Sequence, residues 1–332
     1  MVAGPMVAEA RFAAYISAME IEFIQWLREH VPTHSCARLG LSDDAAIVAL
    51  TGRSDVVVTT DLLTDAVDFQ LGTHEPHRIG RQALAANLSD LAAMAAKPTA
   101  AFVSIALPRD GAVGQTALQL AIGLYEGLLP LAQEYDVAIA GGDTNTYDGP
   151  LVLSVTALGT TTNRGPLVRS GGRVGDWLLV TGSLGGSILG HMLDFTPRVR
   201  EALLLHERYE LHAGIDISDG LALDASRLAA ASGCGAVIDT SRVPVSPDAV
   251  RLSQQEHAAK VDSAALLHAL SDGQDFELLL AVAPEVGQRI LNDRPTDCTV
   301  THVGQLVAEP GLWQHDRGGG RIPLEATGWR HQ

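Results

Sequence analysis

A series of aspartates stands where apolar runs give way to polar or glycine-rich turns. Asp43-Asp44 precedes the run Ala45–Leu50, Asp61 closes Val56-Val57-Val58-Thr59-Thr60, and Asp143 follows Val137–Gly142. Asp216 and Asp219 bracket Ile217-Ser218 ahead of Gly220. Asp90 falls three residues after Asn87 in a stretch of helical period, so those two side chains share a face. Carboxylates at strand ends are the usual way an α/β sheet presents oxygen ligands at its edge. Taken singly, each is more simply a helix cap or a turn former. If they converge, their mutual repulsion either raises their pKa values or requires a cation between them. Hard oxygen ligands with no His or Cys alongside favour Mg²⁺, which completes its shell with water and substrate phosphate.

The charge balance narrows the chemistry further. Among 332 residues there are 23 Lys+Arg and 39 Asp+Glu, a formal net charge of −16. Such a balance argues against nucleic acid or an anionic membrane as partner, since both need a basic footprint. Lys97 and Lys260 are the only lysines, and each is followed by a residue, Pro98 or Val261, that no Walker A loop tolerates. A kinase-type Val-Ala-Ile-Lys strand is missing as well. Phosphate chemistry here must therefore use metals, arginines and backbone N–H groups. Cys36, Cys234 and Cys298 are odd in number and widely spaced, which supports neither a disulfide framework nor a zinc ribbon. With no basic signal region and no clean membrane span, the expectation is a cytoplasmic protein.

Stepping from these residues to the elements that must hold them, Glu9–His30 reads as an amphipathic helix ended by Pro32. Strands are expected at Ala45–Leu50, Asp55–Thr60, Ala101–Leu107 and Leu151–Leu158, with helices over Pro76–Ala96 and Gln115–Tyr135. Val137–Ala140 is a short apolar run that breaks at Gly141-Gly142. Composition shifts at Gly159–Gly175, which sets a boundary between domains 1–160 and 161–332. The second half alternates again: strands Trp177–Thr181, Ala236–Asp239, Phe276–Val282 and Thr299–Val307, and helices Ser187–Phe195, Pro197–Arg208, a segment ending at Ala231, Ser263–Leu270 and Pro284–Leu291. The stretch after Asp239 reads as a polar loop. Both halves are thus expected to be α/β layers. The turn Gly182-x-x-Gly185-Gly186 suits close helix–strand packing better than a phosphate cradle.

Read in order, Ser42-Asp43-Asp44-Ala45-Ala46, Thr59-Thr60-Asp61, Asn87-Leu88-Ser89-Asp90, Gly141-Gly142-Asp143-Thr144, Arg169-Ser170-Gly171, Gly175-Asp176-Trp177, Asp216-Ile217-Ser218-Asp219-Gly220 and Asp275-Phe276-Glu277-Leu278 closely resemble the thiamine-monophosphate kinases. These form a family within the aminoimidazole-ribonucleotide-synthetase-like (PurM-like) ATP-using enzymes. Each motif alone is weak, but the ordered set, spanning roughly residues 40–330, is specific. The resemblance implies a two-domain PurM-like fold, with an N-terminal sheet that forms a barrel in a homodimer and a C-terminal mixed sheet flanked by helices. It implies that Asp44, Thr59, Thr60, Asp61, Asp90, Asp143, Asp216 and Asp219 hold several Mg²⁺ ions on the phosphates of ATP. Gly142, Asp143, Arg169 and Ser218 would contact the nucleotide. The reaction implied is in-line transfer of the γ-phosphoryl group of ATP onto thiamine monophosphate.

The acceptor side departs from the family pattern. The family's Gly-x-His-Phe appears as Ala66-Val67-Asp68-Phe69, so an acid replaces a potential cation. Its Gly-Gly-Glu-Asp-Tyr-Glu-Leu appears as Asp272-Gly273-Gln274-Asp275-Phe276-Glu277-Leu278, with Gln274 in place of a carboxylate. An expected C-terminal aromatic maps near Ala326, with Trp329 as a substitute. Asp68, Gln274 and Trp329 are therefore the candidate acceptor contacts. Two other readings stay open at this level: a related ATP-dependent phosphotransferase acting on another small phosphorylated or carboxylated metabolite, or a nucleotide-binding protein with little catalysis.

Overall fold

The structure, a computed structural model, describes residues 37–39, 45–48, 55–257, 260–315 and 320–328. The segment Glu9–His30, Asp43-Asp44 and Trp329 lie outside the described residues. Among those described, strands gather into two sheets. The first comprises β1 (Ala37–Leu39), β2 (Ala46–Val48), β3 (Val56–Thr64), β4 (Ala96–Pro108), β5 (Ala138–Tyr147) and β6 (Val152–Thr161), in the order β1-β2-β3-β6-β4-β5. Its pairings are antiparallel except β4 with β5. The second comprises β7 (Trp177–Thr181), β8 (Ala213–Ile217), β9 (Gly235–Ile238), β10 (Glu277–Val282), β11 (Val300–Val307), β12 (Leu312–His315) and β13 (Arg321–Pro323), in the order β13-β12-β9-β11-β7-β10-β8. This is the mixed, two-layered α/β arrangement that the PurM-like resemblance implied.

Helices α1 (Pro76–Ala93) and α2 (Ala117–Glu134) cover one face of the first sheet. Pro76 opens α1 at a position where a missing N–H costs nothing, and Thr116 opens α2 through a reciprocal capping box with Gln119. The two helices cross backbone to backbone: a Cβ on Gly80 would fall 1.9 Å from the Leu124 carbonyl, and one on Gly127 would fall 1.6 Å from that of His77. Helix α1 is buried on nearly every side, because it is wedged between β3 and β6 of the first sheet and β8 and β10 of the second. Short α3 (His191–Asp194) and α4 (Val199–Arg208) close the same side of the second sheet, and α5 (Leu221–Ala231) and α7 (Val261–Ser271) close the other. Alternate residues of β10 divide between these two cores, Leu278, Leu280 and Val282 facing one and Leu279 and Ala281 the other. Helices α6 (Pro247–Gln255) and α8 (Pro284–Asp293) complete the fold.

The structure differs from the sequence expectation at several points that bear on the site. Strand β3 runs through Asp61 to Thr64, and β5 runs through Gly141-Gly142 and Asp143 to Tyr147. Long-range pairing with β6 and β4 overrides the local break signal of the diglycine. At Gly142, with φ +154°, a Cβ would lie 1.8 Å from the Val103 carbonyl, so the pair is a close backbone approach rather than a turn. The expected helix Ser187–Phe195 is split at Gly190 into a 3-10 turn and α3. The polar loop after Asp239 contains α6, opened by Ser246 accepting the Ala249 N–H at 2.9 Å. Strand β8, which delivers Asp216, was not foreseen, nor were β12 and β13.

Candidate active site

The candidate site forms along the seam where α1 meets both sheets. Residues alternate across β3, so Thr59 and Leu63 point inward while Thr60 points to the opposite, solvent-facing side. The Thr59 hydroxyl donates to the Asp90 carboxylate on α1. One residue earlier on α1, Ser89 donates to Oδ2 of the buried Asp216 at 2.7 Å. Two consecutive helical residues thus reach one to each sheet and tie β3 to β8. Around Asp61, burial and then the charge of Asp68 push the carboxyl up to about 6.

Beyond β8 the chain turns through Ser218-Asp219-Gly220 into α5. The Asp219 carboxylate pairs with Arg227, which also holds Asp224 at 2.8 Å, and Asp224 accepts the Asp219 N–H at 2.9 Å. Burial, and after it Asp219, push the Asp224 carboxyl up to about 7. Against this turn lies Asp272–Phe276, in which Gly273, Gln274 and Phe276 all hold positive φ. The Gln274 N–H donates to the Ser218 carbonyl at 2.6 Å, and that of Phe276 to Ile217 at 2.9 Å. Gln274 Oε1 and Asp275 Oδ2 are buried without a protein partner. Desolvation holds the Asp275 carboxyl well above the usual carboxylate range. From the other direction the C-terminal segment comes within contact: a Cβ on Gly328 would lie 2.4 Å from the Asp219 carbonyl.

Not every residue singled out from the sequence joins this seam. Thr60 bonds across the outer face, to the Thr156 hydroxyl at 3.0 Å and the Val155 carbonyl at 3.2 Å. Gly142 and Asp143 lie on the edge strand β5, separated from β3 by β6 and β4, about 14 Å at ordinary strand spacing. Arg169 opens a 3-10 turn next to the start of β8, whereas Asp216 and Ser218 are at its end. Its carbonyl accepts the Ser232 hydroxyl at 2.6 Å. Ala326 packs against the second core. The glycine turn after β7 packs instead of cradling an anion: Gly185 and Gly186 donate their N–H groups to Asp275 at 2.8 Å and Asp272 at 2.9 Å.

Sequence reasoning passed over the support for these residues. Glu277 is buried, holds Arg198 through two contacts of 2.7 and 2.5 Å, and accepts the Thr181 hydroxyl at 2.5 Å. Ser89 is a second such residue, and its place beside Asp90 in the sequence is the signal that marks it. Among the described residues, no three His, Cys, Asp or Glu side chains converge as a preformed metal centre. The donors stand instead in pairs. Hard oxygens in pairs suit Mg²⁺, which takes one or two carboxylates and fills its remaining positions with water and phosphate oxygens.

Two family models match the chain: AIR synthase related protein, N-terminal domain, over residues 42–161, and AIR synthase related protein, C-terminal domain, over 173–312. The thiamine-monophosphate kinase of Rhodopirellula baltica is 43% identical over 303 residues, covering 89% of this chain and 92% of that protein. That of Escherichia coli K12 is 31% identical over 316 residues, covering 88% and 91%. Among solved structures, AaThiL complexed with AMPPCP and TMP superposes with a TM-score of 0.72 at 25% identity, covering 94% of this chain and 96% of that one. The thiamine-monophosphate kinase of Stenotrophomonas maltophilia gives a TM-score of 0.66 at 29% identity, covering 89% and 95%.

Proposed function

The chain belongs to the thiamine-monophosphate kinase family, and from that premise we infer that it uses ATP to phosphorylate thiamine monophosphate to thiamine diphosphate. The observation that carries the reading is the Thr59–Asp90 and Ser89–Asp216 pairing, in which consecutive residues of α1 bring the helix's own carboxylate, Asp90, to β3 of the first sheet and hold the Asp216 carboxylate of β8 in the second. The relative solved with AMPPCP and TMP supports a site that takes a nucleoside triphosphate analogue and the acceptor together.

The acceptor nucleophile is a phosphate oxygen, already ionised at neutral pH, so transfer needs alignment and charge neutralisation more than a general base. Mg²⁺, when bound, supplies the Lewis-acid neutralisation of the phosphates that a P-loop lysine supplies elsewhere. The residues that this reading draws on to hold it are Asp44, Thr59, Thr60, Asp61, Asp90, Asp143, Asp216 and Asp219; of the described ones, Thr59, Asp61, Asp90, Asp216 and Asp219 lie along the seam, while Thr60 faces the outer side of β3 and Asp143 lies on β5. Thr59 and Ser89 fix the carboxylates they bond, so that little reorganisation is left for the reaction. Gly142, Asp143, Arg169 and Ser218 contact the nucleotide, and Arg169 suits a bidentate phosphate contact. On the acceptor side stand Asp68, Gln274 and Trp329. The unpartnered Gln274 Oε1 offers an acceptor to a substrate donor.

Residues 1–160 are read as the ATP- and Mg²⁺-binding and dimerising domain and 161–332 as the C-terminal domain; the two matched family segments support this division. The uncovered face of the first sheet, with Leu62 at 62% and Phe102 at 43% exposure, is read as the surface on which a second copy packs. Direct in-line transfer is tested with ATP chiral at the γ-phosphorus: thiamine diphosphate of inverted configuration supports a single displacement, and retention overturns it.

A further inference from the structure

The composition leaves phosphate handling to metals, arginines and backbone N–H groups, and the fold brings an arginine to the turn that carries Ser218 and Asp219. Arg227 stands on α5, two turns beyond Gly220. One nitrogen, Nη1, meets both the Asp219 carboxylate and Oδ1 of Asp224, the latter at 2.8 Å. Asp224 is fully buried, and its other oxygen accepts the Asp219 N–H at 2.9 Å. A buried carboxylate that holds the arginine with one oxygen and the turn with the other fixes the two relative to each other.

The guanidinium carries five N–H donors in a planar fork, and the two carboxylates engage only Nη1. Nε and Nη2, which make up the side-on edge of the fork, have no partner among the described residues, and the side chain is 41% exposed. An arginine anchored at one nitrogen and open along that edge is set to take two phosphate oxygens.

A second observation says which phosphate. The C-terminal segment crosses the same face of α5: a Cβ on Gly328 would lie 2.4 Å from the Asp219 carbonyl and 2.7 Å from Cβ of Leu223, one turn before Arg227. Gly328 immediately precedes Trp329, an acceptor candidate in the sequence. Gln274, another acceptor candidate, donates its N–H to the Ser218 carbonyl of the same turn at 2.6 Å. Arg169, in contrast, lies at the opposite end of β8.

We propose that Arg227 is a further binding residue of the site, which takes the phosphate of the acceptor on its Nε–Nη2 edge while Asp224 holds the guanidinium in place. Resting on the kinase reading above, this gives the acceptor phosphate a positive contact in a chain that has Asp68 where the family pattern has a histidine.

The test separates the phosphate from the rest of the acceptor. Binding of thiamine monophosphate, thiamine and inorganic phosphate is measured by calorimetry on the full chain saturated with Mg²⁺ and AMPPCP, and AMPPCP binding is measured separately. Arg227→Gln is expected to weaken thiamine monophosphate and inorganic phosphate about tenfold or more, with thiamine and AMPPCP bound as in wild type. Because this change leaves the buried Asp224 without its arginine, Asp224→Asn/Arg227→Gln is measured alongside. The double variant removes both charges, keeps an oxygen for the Asp219 N–H, and is expected to show the same selective loss. Equal weakening of thiamine and thiamine monophosphate, or no weakening of either, in a folded variant overturns the proposal. A loss confined to AMPPCP places Arg227 on the nucleotide and overturns it too. Inorganic phosphate is the probe that does not depend on the identity of the acceptor. A wild type that holds it through Arg227 but forms no thiamine diphosphate overturns the kinase reading and leaves the phosphate contact standing.

Discussion

At the scale of single residues, the account rests on carboxylates whose oxygens are aimed by hydroxyl donors. Asp90→Asn keeps the size of the side chain and its bond to Thr59 but removes the anionic ligand. The expected result is a loss of kcat on the order of 10²-fold or more, with an unchanged melting temperature; near-normal turnover would mean that Asp90 holds no cation. These residues were legible in the sequence because each motif is short and contiguous. What could not be read was direction. Thr59 and Thr60 are neighbours in the chain, yet the pleat sends one inward to Asp90 and the other outward to Thr156. Gln274 illustrates a different gap: its substitution was visible, but its positive φ and orphaned oxygen depend on the Ser218 turn packed against it.

At the scale of elements, α1 is the part that makes a site out of two sheets, and its helical period was plain in the sequence. Its burial on all sides was not, since small residues such as Ala83, Ala86 and Ala93 mark close packing without saying against what. Strand β5 shows the opposite difficulty, because a diglycine that signals a turn locally becomes a paired strand once β4 is beside it. Gly142→Ala would drive a methyl group into the Val103 carbonyl. It is expected to cost about 1–3 kcal/mol or more, read by denaturant unfolding, and to displace Asp143 so that KM for ATP rises. Helix α4 carries a pH-sensitive contact. His206 is buried, bonds the Thr162 hydroxyl at 3.0 Å, and is held below its ordinary pKa by burial and then by Arg164. The unfolded chain therefore binds the proton more readily than the folded one, so stability falls as pH drops below 6.5 toward the folded-state pKa. His206→Gln should narrow the difference in melting temperature between pH 7.5 and pH 5.5; an unchanged difference would place the pH response elsewhere.

At the scale of the whole molecule, the order of motifs along the chain foretold the two-layered architecture, but the strand orders emerged only from the pairing. The cost of the account is an exposed apolar sheet face, and a second copy is its expected cover. Phe102→Glu should convert a dimer into a species near 35.0 kDa in sedimentation equilibrium; wild type already at that mass would remove the dimer from the account. Under the proposed function, part of the strongly acidic balance would serve to hold metal-bound polyphosphate. The most direct test of the central claim is to incubate the purified chain with Mg²⁺, ATP and thiamine monophosphate and to separate the products by chromatography. The account predicts thiamine diphosphate and ADP in equal amounts over many turnovers. ATP bound and thiamine monophosphate recovered unchanged would contradict it.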